Sequence, residues 1–388
     1  MPGRAQPSIE RMKMNINLRA SPQTVAAADW RSALLEVADQ ISAEGQACDR
    51  ENRFVGANLD ALANRGFFTL GVPAELGGGG ADYSELCAML RAVGALDGST
   101  ALALSMHTHQ VVVADLRRRA GAPTEALLRR VAEGLRVLSS GGSDWLAGSG
   151  VAEPVEGGWR VTGRKVFSSG SPAGDLMMTC AVHGDEVLHF PVPMSDPAVR
   201  VLDTWDTLGM RGTGSHDVAI EGVFIPEAAV SGRRPKGKWH PLFHLISKAA
   251  MPLIYSVYAG VGDGMRDAAL SLAAERSADA LQLVRVGELE TAHTGMDVLV
   301  RAMIALGAEA DPGPETTNRV MMLRTLVARA ALEVAERAMA CGGGHGFYRS
   351  SGLEQRLRDT QAVRYHPLAD GMQQTFAGRM ALGLDIDG

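Results

Sequence analysis

The order in which hydrophobic patterns change along the chain is the feature that most constrains its fold. From about residue 25 to 135, apolar residues recur at helical spacing. From about 136 to 232, short apolar segments alternate with turn signals, and helical spacing returns from about 240. The sequence therefore predicts a mainly α protein with a central β-domain, a small barrel or sandwich. The alternating strand–helix pattern of a doubly wound nucleotide-binding fold is not present. Turns are predicted at Glu156-Gly157, Thr162-Gly163 and Gly184-Asp185.

The same pattern predicts where the domains begin and end. We expect a flexible N-terminal arm at 1–24, a helical domain at 25–135, a β-domain at 136–235 and a helical bundle at 236–388. One bundle helix should end at the cluster Gly342-Gly343-Gly344, because consecutive glycines terminate helices. Two apolar stripes are predicted to face the core: Trp30, Leu34, Val37 and Ile41 in the first domain, and Leu323, Leu326, Ala330, Val334 and Ala338 in the bundle.

Charge and cysteine usage exclude several classes of protein. A net charge of −6 and a pI near 6.0 do not provide the basic surface on which nucleic-acid binding depends. The four cysteines are scattered without a CxxC pair, which predicts reduced thiols and neither a disulfide framework nor a zinc site. No apolar stretch reaches the length of a membrane span, and the N-terminus lacks the hydrophobic region of a secretory signal. We therefore expect a cytoplasmic protein with no bound metal, membrane or nucleic acid.

Four segments in a fixed order resemble the acyl-CoA dehydrogenase superfamily and together cover nearly the whole chain. They are GFFTLGVPAELGGGGADYSELCAMLRAVGALDGSTAL, GGWRVTGRKVFSSG, TLGMRGTGSHDVAIEGVFIPE and CGGGHGFYRSSGLEQRLRDTQAVRYH. The resemblance implies the acyl-CoA dehydrogenase fold, with an N-terminal helical domain, a middle β-barrel or sandwich and a C-terminal four-helix bundle. It also implies a flavin at the junction of the domains, and a homotetramer in which a neighbouring subunit helps to bind that flavin.

The end of one predicted strand carries the residues that the resemblance assigns to the flavin. Phe167 corresponds to the aromatic side chain that packs on the flavin ring. Ser169 corresponds to the hydroxyl that bonds near the reactive nitrogen, and Ser168 lies between them. A glycine cluster resembles the loop at which a neighbouring subunit approaches the flavin nucleotide, where backbone amides can reach phosphate oxygens. Its members are Gly342, Gly343, Gly344 and Gly346. From the residues alone, the strand end is equally an ordinary turn with hydroxyl groups, and the glycines a helix stop.

The carboxylate base of the acyl-CoA dehydrogenases has no counterpart in this chain. Its usual position, after the C-terminal signature, corresponds to Ala377, and the alternative stretch from Lys248 to Gly260 contains no carboxylate. A true acyl-CoA dehydrogenase needs such a base to remove the proton beside the thioester carbonyl. The absence therefore argues against that reaction.

Two elements that resemble flavin-binding segments of the family are also altered. Ser139 and Ser140 replace a Thr-Glu-Pro segment, and Arg276 is what remains of an Arg-x-Phe-Gly element that helps to hold the FAD pyrophosphate. We assign Ser139, Ser140 and Arg276 to cofactor binding. FAD is the predicted cofactor, and FMN is the alternative.

These departures resemble one branch of the superfamily, the two-component flavin monooxygenases. Those enzymes, such as the p-hydroxyphenylacetate hydroxylases, take reduced flavin from a separate reductase. The chain is similar to them in its serine-rich segment, its Ser-Ser-Gly strand end and the pair Arg358-Asp359 followed by His366. The branch often carries another histidine in the first domain, for which His107 and His109 are candidates. Two residues apart on a helix, the two rings point in different directions, so at most one faces the flavin.

The resemblance to this branch implies Ser169, His366 and His109 as the catalytic residues. It assigns to them a hydroxyl near the reactive nitrogen and a histidine that exchanges a proton near neutral pH. From the residues alone, His366 could equally cap the end of a helix, since Pro367 follows it. The pair Arg358-Asp359 could equally be a solvated ion pair.

The predicted function is that of a flavin-dependent oxidoreductase. We favour a monooxygenase that uses reduced flavin, supplied by a separate reductase, to oxidise a small organic molecule. One alternative is an acyl-thioester dehydrogenase that uses FAD and a base not yet located. A second is a catalytically inactive flavin-binding or scaffold subunit, against which the flavin-facing motif at Phe167–Gly170 argues.

Overall fold

The computed structural model describes residues 24–140, 144–275 and 279–387. Residues 1–23, which make up nearly all of the predicted N-terminal arm, lie outside the described residues. Arg276, predicted to bind the flavin pyrophosphate, also lies outside them.

Six helices form the first part of the described chain. They are α1 (Trp30–Leu35), α2 (Ala38–Glu51), α3 (Gly56–Ala63), α4 (Tyr83–Leu96), α5 (Gly98–Arg119) and α6 (Glu125–Ala132). Trp30, Leu34, Val37 and Ile41 are all buried, as their spacing predicts. They belong to two helices, however, because the backbone of Val37 is not helical and separates α1 from α2. Helix α4 starts with a reciprocal capping box between Asp82 and Glu85.

Eight strands form one sheet in the middle of the chain. They are β1 (Val137–Ser139), β2 (Val151–Val155), β3 (Gly158–Lys165), β4 (Leu176–His183), β5 (Glu186–Pro193), β6 (Val199–Val201), β7 (Val218–Pro226) and β8 (Gly232–Pro235). The order is β6-β7-β3-β2-β4-β5-β8, and β1 pairs in parallel with β4. Turns join β2 to β3 at Glu156-Gly157 and β4 to β5 at Gly184-Asp185, as predicted. The turn predicted at Thr162-Gly163 is wrong, because these residues lie inside β3 at a β-bulge opposite β7.

Helices return after the sheet and form the bundle. They are α7 (Pro241–Ala274), α8 (Ala280–Glu309), α9 (Pro314–Gly346), α10 (Leu353–Gln361) and α11 (Asp370–Ala381). Helix α9 is interrupted at Gly343, within the predicted glycine stop. The stripe predicted on α9 is wrong in part: Val334 and Ala338 are buried, but Leu326 is 44% exposed. The buried face instead includes Val320, Arg324, Val327 and Ala331.

Helix α7 is the centre of the bundle and packs on α4, α5, α8 and α9. By length and mean hydropathy it could cross a membrane, contrary to the expectation that no stretch of the chain could do so. However, 83% of its most apolar window is buried inside the protein, as in the core helix of a soluble bundle. Its apolar character is therefore explained by packing, and it positions Tyr255 and Tyr258 deep inside the protein.

Candidate functional site

The residues that follow β3 present an aromatic ring to the outside. Phe167 has a positive φ of 55° and is 57% exposed, and its ring meets that of Trp205 edge to face, with the centroids 6.0 Å apart. A positive φ costs energy for a residue with a side chain, so the surrounding structure must hold it. The N–H of the next residue, Ser168, donates to the carbonyl of His216 at 3.1 Å. The strand end therefore offers a large apolar ring from a fixed backbone.

A chain of three hydroxyl groups starts beside Phe167. Ser169 Oγ lies 2.7 Å from Ser215 Oγ, which lies 2.7 Å from Thr213 Oγ1, and Thr213 donates to the Met210 carbonyl at 2.9 Å. Because a carbonyl can only accept, the Thr213 proton points to Met210, so Ser215 donates to Thr213 and Ser169 donates to Ser215. Ser169 thus keeps free lone pairs, which suit an N–H group at the edge of a bound ring.

A buried ion pair joins the end of β1 to the end of β3. Lys165 Nζ lies 3.2 Å from both carboxylate oxygens of Asp144, and also donates to the carbonyls of Ser149 and Cys180 at 2.8 and 2.6 Å. Ser140 donates its hydroxyl to the same carboxylate. All three protons of the buried ammonium group therefore have acceptors, which buried charges require. The serine-rich segment is held at a fixed place relative to Phe167.

The two histidines of α5 have different surroundings. His107 donates from Nε2 to the Phe68 carbonyl at 2.8 Å and accepts the Val137 N–H on Nδ1 at 3.0 Å, so both its nitrogens bind backbone. His109 donates from Nδ1 to the Ser105 carbonyl at 3.0 Å, and its Nε2 lies 3.4 Å from Ser139 Oγ. Burial lowers the pKa of each to about 4. Of the two, only His109 contacts the serine-rich segment.

His366 lies after α10 and contacts Tyr258 on α7 and Arg324 on α9. Its Nε2 is 2.6 Å from the hydroxyl of Tyr258, and its carbonyl accepts a hydrogen bond from Arg324 at 2.8 Å. Burial, followed by the charge of Arg324, lowers the pKa of His366 to about 3. Burial also raises the pKa of Tyr258 well above its usual value. Both side chains are therefore neutral near pH 7, so His366 acts here as a neutral hydrogen-bonding group.

The glycine cluster has mixed surroundings. A side chain at Gly342 or Gly346 would meet Leu353, so these two positions allow α10 to pack closely. A side chain at Gly344 would meet nothing within 4 Å. Phe347 and Tyr348, which follow the cluster, are highly exposed. The cluster therefore presents open backbone and two large rings on its outer side.

Helix α5 contacts the three segments that carry most of the predicted flavin-binding residues. Ser99 accepts the Gly212 N–H at 3.2 Å, the carbonyl of Ala103 lies near Gly170, and His109 approaches Ser139. The strand end, the hydroxyl chain and the serine-rich segment therefore lie along one helix. Among the described residues, no hydrogen bond joins His366 to this group.

Two residues of the site went unassigned in the sequence. Tyr258 was overlooked within an apolar stretch, although a buried tyrosine hydroxyl generally needs a partner, which was a usable signal. Asp359 was matched to the monooxygenase branch as part of Arg358-Asp359, with a solvated ion pair as the alternative, but it was given no role in the site. Its neighbour Arg358 does pair with Asp49, at 2.6 and 2.9 Å, but Asp359 is 1% exposed and accepts the Met210 N–H.

A cavity elsewhere on the molecule does not overlap this region. It has a volume of about 430 Å³, lies against α2 and α3 and includes none of the predicted site residues. In the described ranges, no group of three or more His, Cys, Asp or Glu side chains could hold a metal ion.

Comparison with known proteins identifies the family. The N-terminal, middle and C-terminal domains of acyl-CoA dehydrogenase match residues 30–133, 139–223 and 254–374. The chain belongs to the acyl-CoA dehydrogenase family. Like other members of that family, it is a flavin-dependent oxidoreductase with a three-domain fold.

Similar proteins within the acyl-CoA dehydrogenase family have more than one activity. Indole-3-acetate monooxygenase of Pseudomonas putida is 29% identical over 94% of this chain and 97% of its own length. The putative acyl-CoA dehydrogenase YdbM of Bacillus subtilis is 25% identical over 88% and 93%. A structure of KijD3 in complex with FMN and a dTDP-linked 3-amino-4-keto sugar has a TM-score of 0.85 and 27% identity, and covers 95% of this chain and 96% of that one.

The strand end fits a flavin of this family, whether FAD or FMN. An exposed aromatic ring beside a hydroxyl that can accept an N–H matches a flat ring system with a polar edge. Relatives of this fold bind small molecules, and the mostly buried α7 is consistent with a soluble protein.

Proposed function

We propose that this protein is a monooxygenase that uses reduced flavin to insert oxygen into a small organic molecule. The observation that carries the proposal concerns the stretch Lys248–Gly260, where some relatives carry a carboxylate base. Here it supplies Tyr258, whose hydroxyl binds His366, and it contains no carboxylate. The usual base position corresponds to Ala377 on α11, which lacks a glutamate. Neither of these two positions therefore supplies a carboxylate to remove the proton beside a thioester.

Reduced flavin would supply the two electrons needed to place one atom of dioxygen in the substrate and release the other as water. Phe167 would pack against its ring, and Ser169 would accept its edge N–H. Ser139, Ser140 and His109 would face the same ring from α5 and β1, with Ser168 supporting the strand end. His366 would contribute a neutral ring, because the pKa of about 3 keeps it unprotonated.

The source of electrons is proposed to be a separate flavin reductase. The sheet is built mainly from antiparallel pairs and contains none of the strand–helix–strand units of a dinucleotide-binding domain among the described residues. Reduced flavin must then arrive from elsewhere. FMN is the simpler proposal for its identity, because KijD3 binds it, and FAD is the alternative.

The proposed substrate class is a small molecule with an electron-rich ring or an amine. The aromatic acid oxidised by the indole-3-acetate enzyme and the amino sugar in the KijD3 complex both fit this class. An indole ring and an amine are both nucleophilic, which suits an electrophilic oxygen donor.

An anaerobic mixing experiment tests the proposal. The protein is mixed with chemically reduced FMN and then with oxygen, and absorbance is followed with and without an indole or amine probe. A transient spectrum distinct from reduced and oxidised flavin, followed by an oxidised probe, is the expected result. Immediate reoxidation with full release of hydrogen peroxide contradicts it. Anaerobic bleaching of bound FAD by an acyl-CoA would establish the dehydrogenase alternative. Failure to bind any flavin would point to the scaffold alternative.

We further propose a cytoplasmic homotetramer with domains at 25–135, 136–235 and 236–388. Exposed apolar side chains on α8 and α9, and Phe347 with Tyr348 beside the glycine cluster, support association of subunits. In such a tetramer, Gly342, Gly343, Gly344 and Gly346 would meet the flavin nucleotide of a neighbouring subunit.

A further inference from the structure

Two buried acidic side chains, Asp97 and Asp359, lie where the three parts of the chain meet. Asp359 belongs to α10, Asp97 precedes α5, and Met210 belongs to the segment between β6 and β7. Asp359 is 1% and Asp97 4% exposed. Asp97 caps α5 by accepting the N–H and hydroxyl of Thr100, and Asp359 accepts the Met210 N–H. Neither Asp359 Oδ2 nor Asp97 Oδ1 has a hydrogen-bond partner among the described residues.

The nearby arginines do not neutralise this pair by direct hydrogen bonds. Arg356 donates to the carbonyls of Ala95, Leu96 and Gly352. Arg358 donates to Asp49 and Glu354. Burial in such a site disfavours an ionised carboxylate, and the negative charge of Asp97 disfavours ionisation of Asp359 further. The titratable and charged groups that act on Asp359 from the surrounding elements are Asp49, Asp97, Tyr258, Arg356 and Arg358.

The segment around Met210, which Asp359 contacts, is connected by hydrogen bonds to Ser169 at the end of β3. Met210 has a positive φ of 52°, so its conformation must be held by its contacts. Its carbonyl accepts the proton of Thr213, at the end of the hydroxyl chain that begins at Ser169. Next to it, Gly209 lies so close to α10 that a side chain would come within 2.2 Å of the Arg358 carbonyl. The position of α10 is thereby transmitted to the hydroxyl chain.

We propose that Asp359 is a positioning residue for the flavin side of this protein. By holding the Met210 N–H, its carboxyl fixes the direction of the hydroxyl chain and so keeps Ser169 an acceptor. Because Asp359 is buried, its own ionisation makes this arrangement sensitive to pH. The inference rests on the proposed function in one respect: it assumes that Ser169 accepts a hydrogen bond from the bound flavin.

The direction of the pH effect follows from the burial of Asp359. Burial, followed by the charge of Asp97, raises the pKa of Asp359 to about 7 from its usual 3.8. A carboxyl with a raised pKa contributes stability that is complete below its ordinary pKa and is lost as the pH rises through the folded-state value. Asp359 therefore favours the folded state most at low pH and loses this contribution between about pH 4 and 7.

Thermal unfolding of the flavin-free protein tests the charge of Asp359. Asp359→Asn keeps an acceptor for Met210 but cannot ionise. The Tm of the wild type minus that of the variant should fall by about 3 °C or more between pH 5 and 8. Asp115→Asn is the control, because Asp115 is also buried, at 7% exposed, but pairs with Arg118 and Arg119, and its difference should stay flat. Equal slopes for the two variants would show that Asp359 does not ionise between pH 5 and 8 and would overturn the pH sensitivity.

Anaerobic titration with reduced FMN tests the positioning. Asp359→Ala removes the acceptor and should weaken binding about fivefold or more, while Asp359→Asn stays within about twofold of the wild type. Equal weakening in both variants overturns the positioning role. If the alanine variant does not fold, the asparagine variant decides alone: a fivefold loss in it contradicts the inference. If the wild-type protein binds reduced FMN but oxidises no probe, the proposed function is wrong. The role of Asp359 is judged separately, because it is measured by flavin binding and thermal unfolding and does not depend on oxidation of a probe.

Discussion

Tyr255 and Tyr258 lie almost one turn apart on α7, and both are buried with a bonded hydroxyl. Tyr258 binds the His366 ring at 2.6 Å, whereas Tyr255 donates to the carbonyl of Val363 at 3.0 Å. Each Tyr→Phe change removes one buried hydrogen bond, so both should lower the free energy of unfolding by about 1 kcal/mol. We expect only Tyr258→Phe to lower oxygenation of a probe, because only that hydroxyl orients the His366 ring. Denaturant unfolding and product assays measure the two effects.

The comparison of these two variants isolates the role of the histidine. If Tyr255→Phe lowers oxygenation as much as Tyr258→Phe, the loss reflects the bundle and not His366. His366→Ala should then lose turnover and retain flavin binding, and unchanged turnover in that variant would remove His366 from the mechanism.

Ser169 and Ser171 provide a second matched pair at the end of β3. Ser169 starts the hydroxyl chain, whereas the buried Ser171 donates to the carbonyl of Gly214 at 3.1 Å. Ser169→Ala should lower product formed per reduced flavin roughly five- to tenfold, the equivalent of about one hydrogen bond, with more hydrogen peroxide released. Ser171→Ala should leave this ratio unchanged. A peroxide assay beside product analysis measures both, and equal ratios in the two variants would contradict the role of Ser169.

At this scale, the sequence identified residue types better than their surroundings. It selected Ser169 by resemblance, but the direction of its hydrogen bond depends on Met210, which follows 41 positions later in the chain. It also selected His109 over His107 without a physical reason, whereas the structure provides one: His107 binds backbone through both nitrogens. Such differences depend on contacts between distant segments, which local patterns do not contain.

Helices α4 and α7 approach each other through glycines. A side chain at Gly260 would come within 2.0 Å of the Arg91 carbonyl, and one at Gly94 within 2.6 Å of the Val257 carbonyl. Gly260→Ala should therefore push the helices apart and lower the free energy of unfolding by about 1–3 kcal/mol or more. Gly295→Ala on α8 is the control. It has open space around it and should raise stability by about 0.5–1 kcal/mol, because alanine favours the helix. A stable Gly260→Ala variant in denaturant unfolding would contradict this contact.

Elements were predicted well where a turn or a period is local. The turns at Glu156-Gly157 and Gly184-Asp185 were found because two residues suffice to specify them. Thr162-Gly163 gave the same signal, but pairing with β7 holds it inside β3 as a bulge. A glycine next to a strand pattern can mark a turn that ends the strand or a bulge inside it, and only the pairing with a neighbouring strand distinguishes the two.

For the whole molecule, the order of helical, β and helical patterns was enough to predict the fold, because each pattern extends over about a hundred residues. Departures of individual residues from the pattern do not disturb such long signals. The apolar stripe on α9 shows the limit of this approach. A periodic pattern identifies apolar positions, but it does not distinguish a face that packs in the core from one that meets another subunit.

Leu326 offers a test of that distinction. It lies on α9, 44% exposed, near the comparably placed Met322. If subunits associate through this face, Leu326→Lys should place a charge in an apolar contact and lower the molar mass in solution below four times the 41.0 kDa of one chain. Leu35→Lys on α1 is the control, because Leu35 is 77% exposed on a different domain and should leave the mass unchanged. Light scattering after size-exclusion chromatography measures both. A monomeric wild type, or a Leu326→Lys variant with the wild-type mass, would show that the exposed face of α9 does not join subunits.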